Sequence, residues 1–199
     1  MKNLENIFSS IYKNNYWGTG SGPGSSVKNS EEYRQSLLSI LADENINSVL
    51  DYGCGDWQFS SLINWDKYIT SYIGVDVVPF LMEENTKKYA NNIIKFETVT
   101  KSWIFPTVDL IICKDVLQHL SNEIVRNLIE NFVSHSKFLF LTNDITHNKK
   151  ITNQDCKNGK FRPIDFLKEP WNFEGKIVYE RDFKNHIKQG ILIKTSDIV

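Results

Sequence analysis

The sequence predicts a single α/β domain built on a mostly parallel sheet, and three observations carry that expectation. Short apolar runs of strand character alternate with stretches of helical period. One run, Val108-Asp109-Leu110-Ile111-Ile112-Cys113, is nearly unbroken, as a parallel strand buried on both faces requires. Another, Ser48-Val49-Leu50-Asp51-Tyr52, passes directly into Gly53-Cys54-Gly55, a strand-to-glycine-turn junction that can cradle a nucleotide. With 199 residues and 41% hydrophobic content, the chain supports one core and not a second full domain.

Leu4, Ile7, Phe8, Ile11 and Tyr12 recur at helical spacing and predict an amphipathic helix over residues 3–13. Residues 16–26 are rich in Gly and Ser but open on Tyr16 and Trp17. The composition fits a flexible linker; the aromatics fit a lid that closes over a pocket. Ser30 stands where it can cap a helix over residues 31–43, whose Tyr33, Leu37, Leu38 and Leu41 face inward. A helix over residues 56–64 is expected after the first strand, then a second strand at 72–76. Residues 78–90 form the next helix, with Pro79 tolerated in its first turn, and residues 93–97 the third strand. After the strand at 108–113, Ser121 can cap a helix whose inner stripe is Ile124, Val125, Leu128, Ile129 and Phe132. Residues 137–142 make the fifth strand, and 145–160 an exposed polar loop of a length that usually has a function or is disordered. Residues 176–179 and 191–194 read as closing antiparallel strands about a turn at Gln189-Gly190. Such alternation implies right-handed βαβ units with helices on both sides of the sheet.

The formal net charge of −1, without a stripe of Lys or Arg, offers no electrostatic grip on nucleic acid. Cys54, Cys113 and Cys156 are odd in number and lack CxxC spacing, so a reducing, cytoplasmic setting is expected. No apolar stretch approaches the ~20 residues of a membrane span, and the first residues lack the apolar core of a signal peptide. A monomer or homodimer with no membrane partner is expected.

At the turn, Gly53 and Gly55 remove the Cβ atoms that would hold a ligand away from the backbone. A dinucleotide fingerprint, G-x-G-x-x-G, needs a third glycine for close packing beside the pyrophosphate, and that place is Gln58. Asp51, two residues ahead of Gly53, suits a ligand that carries positive charge and would repel a pyrophosphate. Asp76 closes the second strand 25 residues after Asp51, where a carboxylate can accept hydrogen bonds from two ribose hydroxyls.

Val49-Leu50-Asp51-Tyr52-Gly53-Cys54-Gly55 resembles the first motif of the class I S-adenosylmethionine-dependent methyltransferases. The segment at 109–120, D-L-I-I-C-K-D-V-L-Q-H-L, resembles their fourth. The W-G-x-G and S-G-P-G-S elements at 17–26, with G-x-x-R-P-x-D at 159–165 and P-W-N at 170–172, are similar to a small bacterial group of the family that includes enzymes of surface-polysaccharide pathways. The resemblance implies a Rossmann-like, mostly parallel seven-stranded sheet of order 3-2-1-4-5-7-6. It also implies an N-terminal helix and lid segment over residues 1–29, ahead of a methyltransferase domain over 30–199. The implied cofactor is S-adenosyl-L-methionine, and the implied cofactor-binding residues are Asp51, Gly53, Cys54, Gly55, Trp57, Asp76, Val77, Thr100 and Lys114. Asp51 would hold the amino end and Asp76 the ribose. Thr100 stands where family members commonly carry an Asp for the adenine amino group, and Trp103 and Phe105 can flank the ring instead.

For a hydroxyl acceptor, the candidate catalytic bases are Asp115 and His119, four residues apart and on one face if the segment is helical. Asp144 and His147 are weaker alternatives. Candidate acceptor contacts are Trp17, Ser21, Ser25, Asp144 and Arg162. Arg162 can clamp a carboxylate or phosphate, or else pair with Asp165. The N/D-P-P-Y/F tetrapeptide of amide and exocyclic-amine methylators is absent, as is the prolyl-cysteine of base C5 chemistry, and no metal is expected. The expected activity is O-methylation of a small polar acceptor, a sugar or a phosphorylated or carboxylated precursor of a surface polysaccharide. The alternatives are a catalytically silent, cofactor-binding partner domain and an NAD(P)-dependent reductase.

Overall fold

A computed structural model describes residues 2–148, 152–183 and 186–198. Seven strands are present: β1 (Ser48–Tyr52), β2 (Ser71–Asp76), β3 (Ile94–Thr98), β4 (Val108–Lys114), β5 (Ser136–Ile145), β6 (Lys176–Phe183) and β7 (His186–Lys194). They form one sheet in the order β3-β2-β1-β4-β5-β7-β6, as the sequence implied. The helices are α1 (Lys2–Lys13), α2 (Glu31–Asp43), α3 (Pro79–Tyr89) and α4 (Asn122–His135). The chain divides into two compact units, one ending at Ile104 and one beginning at Phe105.

In the first unit, β1 and β2 pair in parallel with Asp51 opposite Gly74, and β2 and β3 pair in parallel with Asp76 opposite Thr98. Val49, Leu50, Tyr72 and Val75 are fully buried, so this edge of the sheet has the apolar interior its sequence calls for. α2 buries Tyr33, Leu37, Ile40 and Leu41, with Ile40 in the inward position expected for Leu38. Its Ser30 hydroxyl does not cap it; it donates backward to the Ser26 carbonyl at 2.8 Å. The expected helix at 56–64 is absent, and two short 3₁₀ turns, Ser60–Leu62 and Trp65–Lys67, take its place. Two side chains drive that change: the Trp65 indole donates to the Ser60 carbonyl at 3.0 Å, and Trp57 takes a left-handed φ of 58° that no α-helix accommodates.

In the second unit, β4 and β5 are parallel, and β5–β7 and β7–β6 are antiparallel. β6 and β7 are longer than expected and meet with Phe183 opposite His186, so Gln189-Gly190 lies inside β7 and is not a turn. Gly190 is needed for close approach: a Cβ there would stand 2.2 Å from the Tyr179 ring across the ladder. α4 buries Val125, Ile129 and Phe132. Ser121 gives it no side-chain cap; Asn158 Oδ1 accepts from Ser121 N at 2.9 Å and Asp155 Oδ1 from Asn122 N at 2.8 Å. The stretch expected to be an exposed loop is thus tied down. Within it Asn153 is buried, accepting from Asp165 N and donating to the Asp165 and Glu169 carbonyls. Residues 149–151 of that stretch lie outside the described residues. Among the described residues no helix is long and apolar enough to cross a membrane.

Candidate functional site

The glycine turn of the first unit closes back on β2: Gly53 N and Cys54 N both donate to the Val75 carbonyl, at 2.8 and 3.0 Å. Gly53 and Gly55 have φ of 80° and 56°, the left-handed region that glycine takes without strain. Asp76 reaches across to this turn. Its Oδ2 accepts from Gly55 N at 3.1 Å, its Oδ1 from Val78 N at 3.0 Å, and the Val77 amide also hydrogen-bonds to it. Burial outweighs these amides and pushes the carboxyl up to about 6. Asp51, also buried, accepts a hydrogen bond from the Tyr72 hydroxyl. Both carboxylates act on Cys54, whose thiol is pushed up first by burial and then by Asp51 and Asp76. Cys54 is therefore a protonated packing residue, with Met82 Sδ 3.8 Å away. The structure brings Asp51, Gly53, Cys54, Gly55, Trp57, Asp76 and Val77 to one turn.

Residues 16–26 dock on the same turn. Ser21 N and Ser21 Oγ donate to the two oxygens of Asp56 at 3.1 and 2.7 Å, and Asp56 N donates back to Ser21 Oγ at 3.0 Å. The Tyr12 hydroxyl lies 2.8 Å from Ser21 Oγ, and Gln58 Nε2 donates to Asp56 at 2.6 Å. The fit needs two glycines. A Cβ on Gly20 would sit 2.0 Å from Asp56 Oδ2, and one on Gly55 would sit 2.3 Å from Ser21 Oγ. Trp17 stacks edge-on against Tyr12 at 5.4 Å, and Ser25 is buried in a 3₁₀ turn. Gln58, which displaced the third glycine of the dinucleotide pattern, thus has a structural partner in Asp56. Thr100 lies just past β3, exposed, with its hydroxyl 3.2 Å from Ser102 Oγ. Trp103 donates from its indole to Glu97 at 2.8 Å.

The second unit carries an alternating chain of charges. Lys114 Nζ pairs with Asp115 at 2.6 Å, Lys188 Nζ pairs with Asp115 as well, and Lys188 pairs with Asp144 at 2.7 Å; His186 Nε2 lies 3.6 Å from Asp144. Burial works to raise the Asp115 carboxyl, but the Lys114 and Lys188 ammoniums hold it well below the usual carboxylate range. Burial lowers Lys114, while Asp115 and Asp144 overcome burial to raise Lys188. Lys188 thus bridges the Asp115 and Asp144 carboxylates. Its role had no local signal, because it reaches Asp144 only through the β5–β7 register.

Asp115 and His119 are not on one helix. Asp115 has φ of 61°, and His119 ends a 3₁₀ turn, Leu117–His119, held by Gly159 N and Arg162 N donating to the His119 and Gln118 carbonyls. His119 Nδ1 lies 3.1 Å from the Lys160 carbonyl. A carbonyl only accepts, so Nδ1 carries the hydrogen and Nε2 is the nitrogen that can take a proton. Burial lowers the pKa of the ring, which favours the neutral, basic form. Arg162 is buried and donates to the Gln154 and Leu120 carbonyls at 3.2 and 3.1 Å. It does not pair with Asp165, whose partner is Lys168 at 2.7 Å.

No protein-family model matches the sequence, and no curated protein is significantly similar to it in sequence. Similar solved structures include methyltransferases. The methyltransferase domain of bacterial CtHen1 superposes with a TM-score of 0.62 at 14% identity, over 83% of this chain and 98% of that one. Magnesium protoporphyrin IX methyltransferase of Synechocystis PCC 6803, with bound SAH, gives 0.57 at 19% identity over 81% and 82%. The N-terminal domain of EvdMO1, in the presence of SAH and D-fucose, gives 0.59 at 12% identity over 82% of each chain. These likenesses show that the chain has the Rossmann-like methyltransferase fold.

Proposed function

We propose that the chain is an S-adenosylmethionine-dependent methyltransferase acting on a small polar acceptor, by O-methylation of a sugar or of a phosphorylated or carboxylated precursor of a surface polysaccharide. The observation that carries this reading is the pair of buried carboxylates, Asp51 and Asp76, at one glycine turn. The donor set fits the cofactor. Asp76 is a buried carboxylate held by backbone amides alone among its named hydrogen bonds, and ribose hydroxyls would add donors to it. Asp51 is a second buried carboxylate whose negative charge would attract the cationic α-amino group. When bound, S-adenosylmethionine supplies a methyl carbon on a sulfonium whose departure leaves a neutral thioether.

The chain's own residues then have two tasks. The turn orients the donor, and alignment alone supplies much of the acceleration in such a displacement. Where the acceptor is a hydroxyl, His119 Nε2 takes its proton, with Nδ1 fixed on the Lys160 carbonyl. Asp115 is a poor base because two ammoniums hold it ionised and weakly basic; its role is to organise Lys114 and Lys188. Asp144 offers a polar contact to an acceptor, and Arg162 shapes the loop at 152–163 from within.

The test is S-adenosylhomocysteine release over a panel of sugars, sugar phosphates and sugar acids. Turnover is expected on at least one class. With a hydroxyl acceptor, His119→Ala should lower kcat by about 10²–10⁴-fold and leave the cofactor KM unchanged. Cofactor binding with no turnover on any class, and indifference to His119→Ala, would instead describe a silent partner domain.

A further inference from the structure

Asp51 is held by a buried relay that the cofactor motif does not contain. The Trp57 indole nitrogen lies 2.7 Å from the Tyr72 hydroxyl, and that hydroxyl in turn contacts Asp51 Oδ2. Chemistry fixes the direction of both bonds. An indole N–H can only donate, so the Tyr72 oxygen accepts from Trp57. Tyr72 has one proton left to give, and the carboxylate is its acceptor; Ser60 Oγ, at 3.3 Å, is a longer contact. Burial and then the Asp51 charge push the Tyr72 hydroxyl far up, so it stays a donor at every working pH. Tyr89 and Phe96 pack on the Trp57 ring at 4.8 and 5.2 Å, and Trp65 packs on Tyr72 at 4.5 Å, which encloses the relay in aromatic surface.

Trp57 reaches this place through a left-handed backbone that a bulky residue seldom adopts. Its strain is balanced where the indole meets Tyr72 and the aromatic wall. Tyr72 and Asp51 stand on neighbouring strands, with Val49 opposite Tyr72 and Asp51 opposite Gly74 in the register, so their side chains share one face of the sheet. Gly74 leaves the gap: a Cβ there would meet Phe96 at 2.8 Å and Cys54 Sγ at 3.2 Å.

We infer that Tyr72, oriented by the Trp57 indole, is a positioning residue that fixes Asp51 to receive the cationic amino group of the cofactor's amino-acid end. The inference rests on the cofactor reading proposed above. It assigns Tyr72 and Trp57 to selection of the amino-acid portion, separate from recognition of the nucleoside at Asp76.

Calorimetric titration with two probes separates these parts: S-adenosylhomocysteine, which has the amino-acid end, and methylthioadenosine, which lacks it. Tyr72→Phe keeps the ring and removes the donor. It should weaken S-adenosylhomocysteine about tenfold, the range for one hydrogen bond to a charged group, and leave methylthioadenosine within twofold. Trp57→Phe keeps an aromatic ring, removes the indole donor and should act in the same direction with a smaller change, which covers the case in which Tyr72→Phe does not fold. Equal weakening of both probes, or no change in either, would overturn the inference and leave the cofactor reading standing. If the intact protein binds neither probe, the cofactor reading itself fails and this inference fails with it.

Discussion

At the scale of single residues, Asp76 is where fold and ligand binding pull against each other. Its folded value of about 6 lies above the ordinary carboxyl value, so between the two the folded state holds more protons than the unfolded chain. The stability it contributes is therefore full below about pH 4 and is lost as pH rises through about 6, at up to ~1.4 kcal/mol per pH unit. Urea melts from pH 4 to pH 7 should show this loss in the intact protein, and Asp76→Asn should remove that component of the slope; parallel curves would refute it. Ligand donors prefer the ionised carboxylate, so affinity for S-adenosylhomocysteine should run the other way and fall below about pH 6. Asp51 and Asp76 were legible in the sequence because each closes or lines a strand that its own neighbours define. The engagement of Asp115 by Lys188 was not, because the two residues lie 73 positions apart and no local pattern links them.

At the scale of elements, the helix starts separate what local sequence specifies from what packing decides. Ser30 and Ser121 are well placed as caps on paper, yet neither side chain caps its helix. For α4 the acceptors come from a loop more than 30 residues later, through Asn158 and Asp155. Asn158→Ala should therefore destabilise the protein by about 1 kcal/mol, whereas Ser121→Ala should cost a few tenths at most. Thermal melts of the two variants decide it, and the reverse order would contradict the capping seen here. The expected helix at 56–64 failed for a related reason. The segment follows the first strand as a helix would, but Trp57 takes a left-handed φ with its indole on Tyr72, and the Trp65 indole donates to the Ser60 carbonyl. Tertiary hydrogen bonds outweighed a short, weak helical preference. Gly190 misled in the other direction, since a glycine read as a turn serves instead to admit the Tyr179 ring.

At the scale of the whole molecule, the apolar runs of β4 and β5 marked buried strands and the glycine turn marked β1, while the sheet order was legible only through the resemblance that the motifs at 49–55 and 109–120 carry. The candidate residues of the first unit are local to β1 and β2 and were legible, whereas the polar residues of the second unit depend on loop 152–163 and on β7, whose contacts no local pattern encodes. The docking of Ser21 on Asp56 belongs to the same class: a Gly-rich stretch of linker composition is held because Gly20 and Gly55 leave room for the Asp56 and Ser21 side chains. Asp51 and Asp76 are proposed to hold a nucleoside with a positively charged tail. Calorimetry of the intact chain and of Asp76→Ala with S-adenosylhomocysteine, beside NADH as a control, tests this most directly. Saturable one-site binding of S-adenosylhomocysteine is expected, weakened about 100-fold in the variant because the charged acceptor of two hydrogen bonds is lost, with no binding of NADH. Undiminished binding in Asp76→Ala, or binding of NADH in place of S-adenosylhomocysteine, would contradict it.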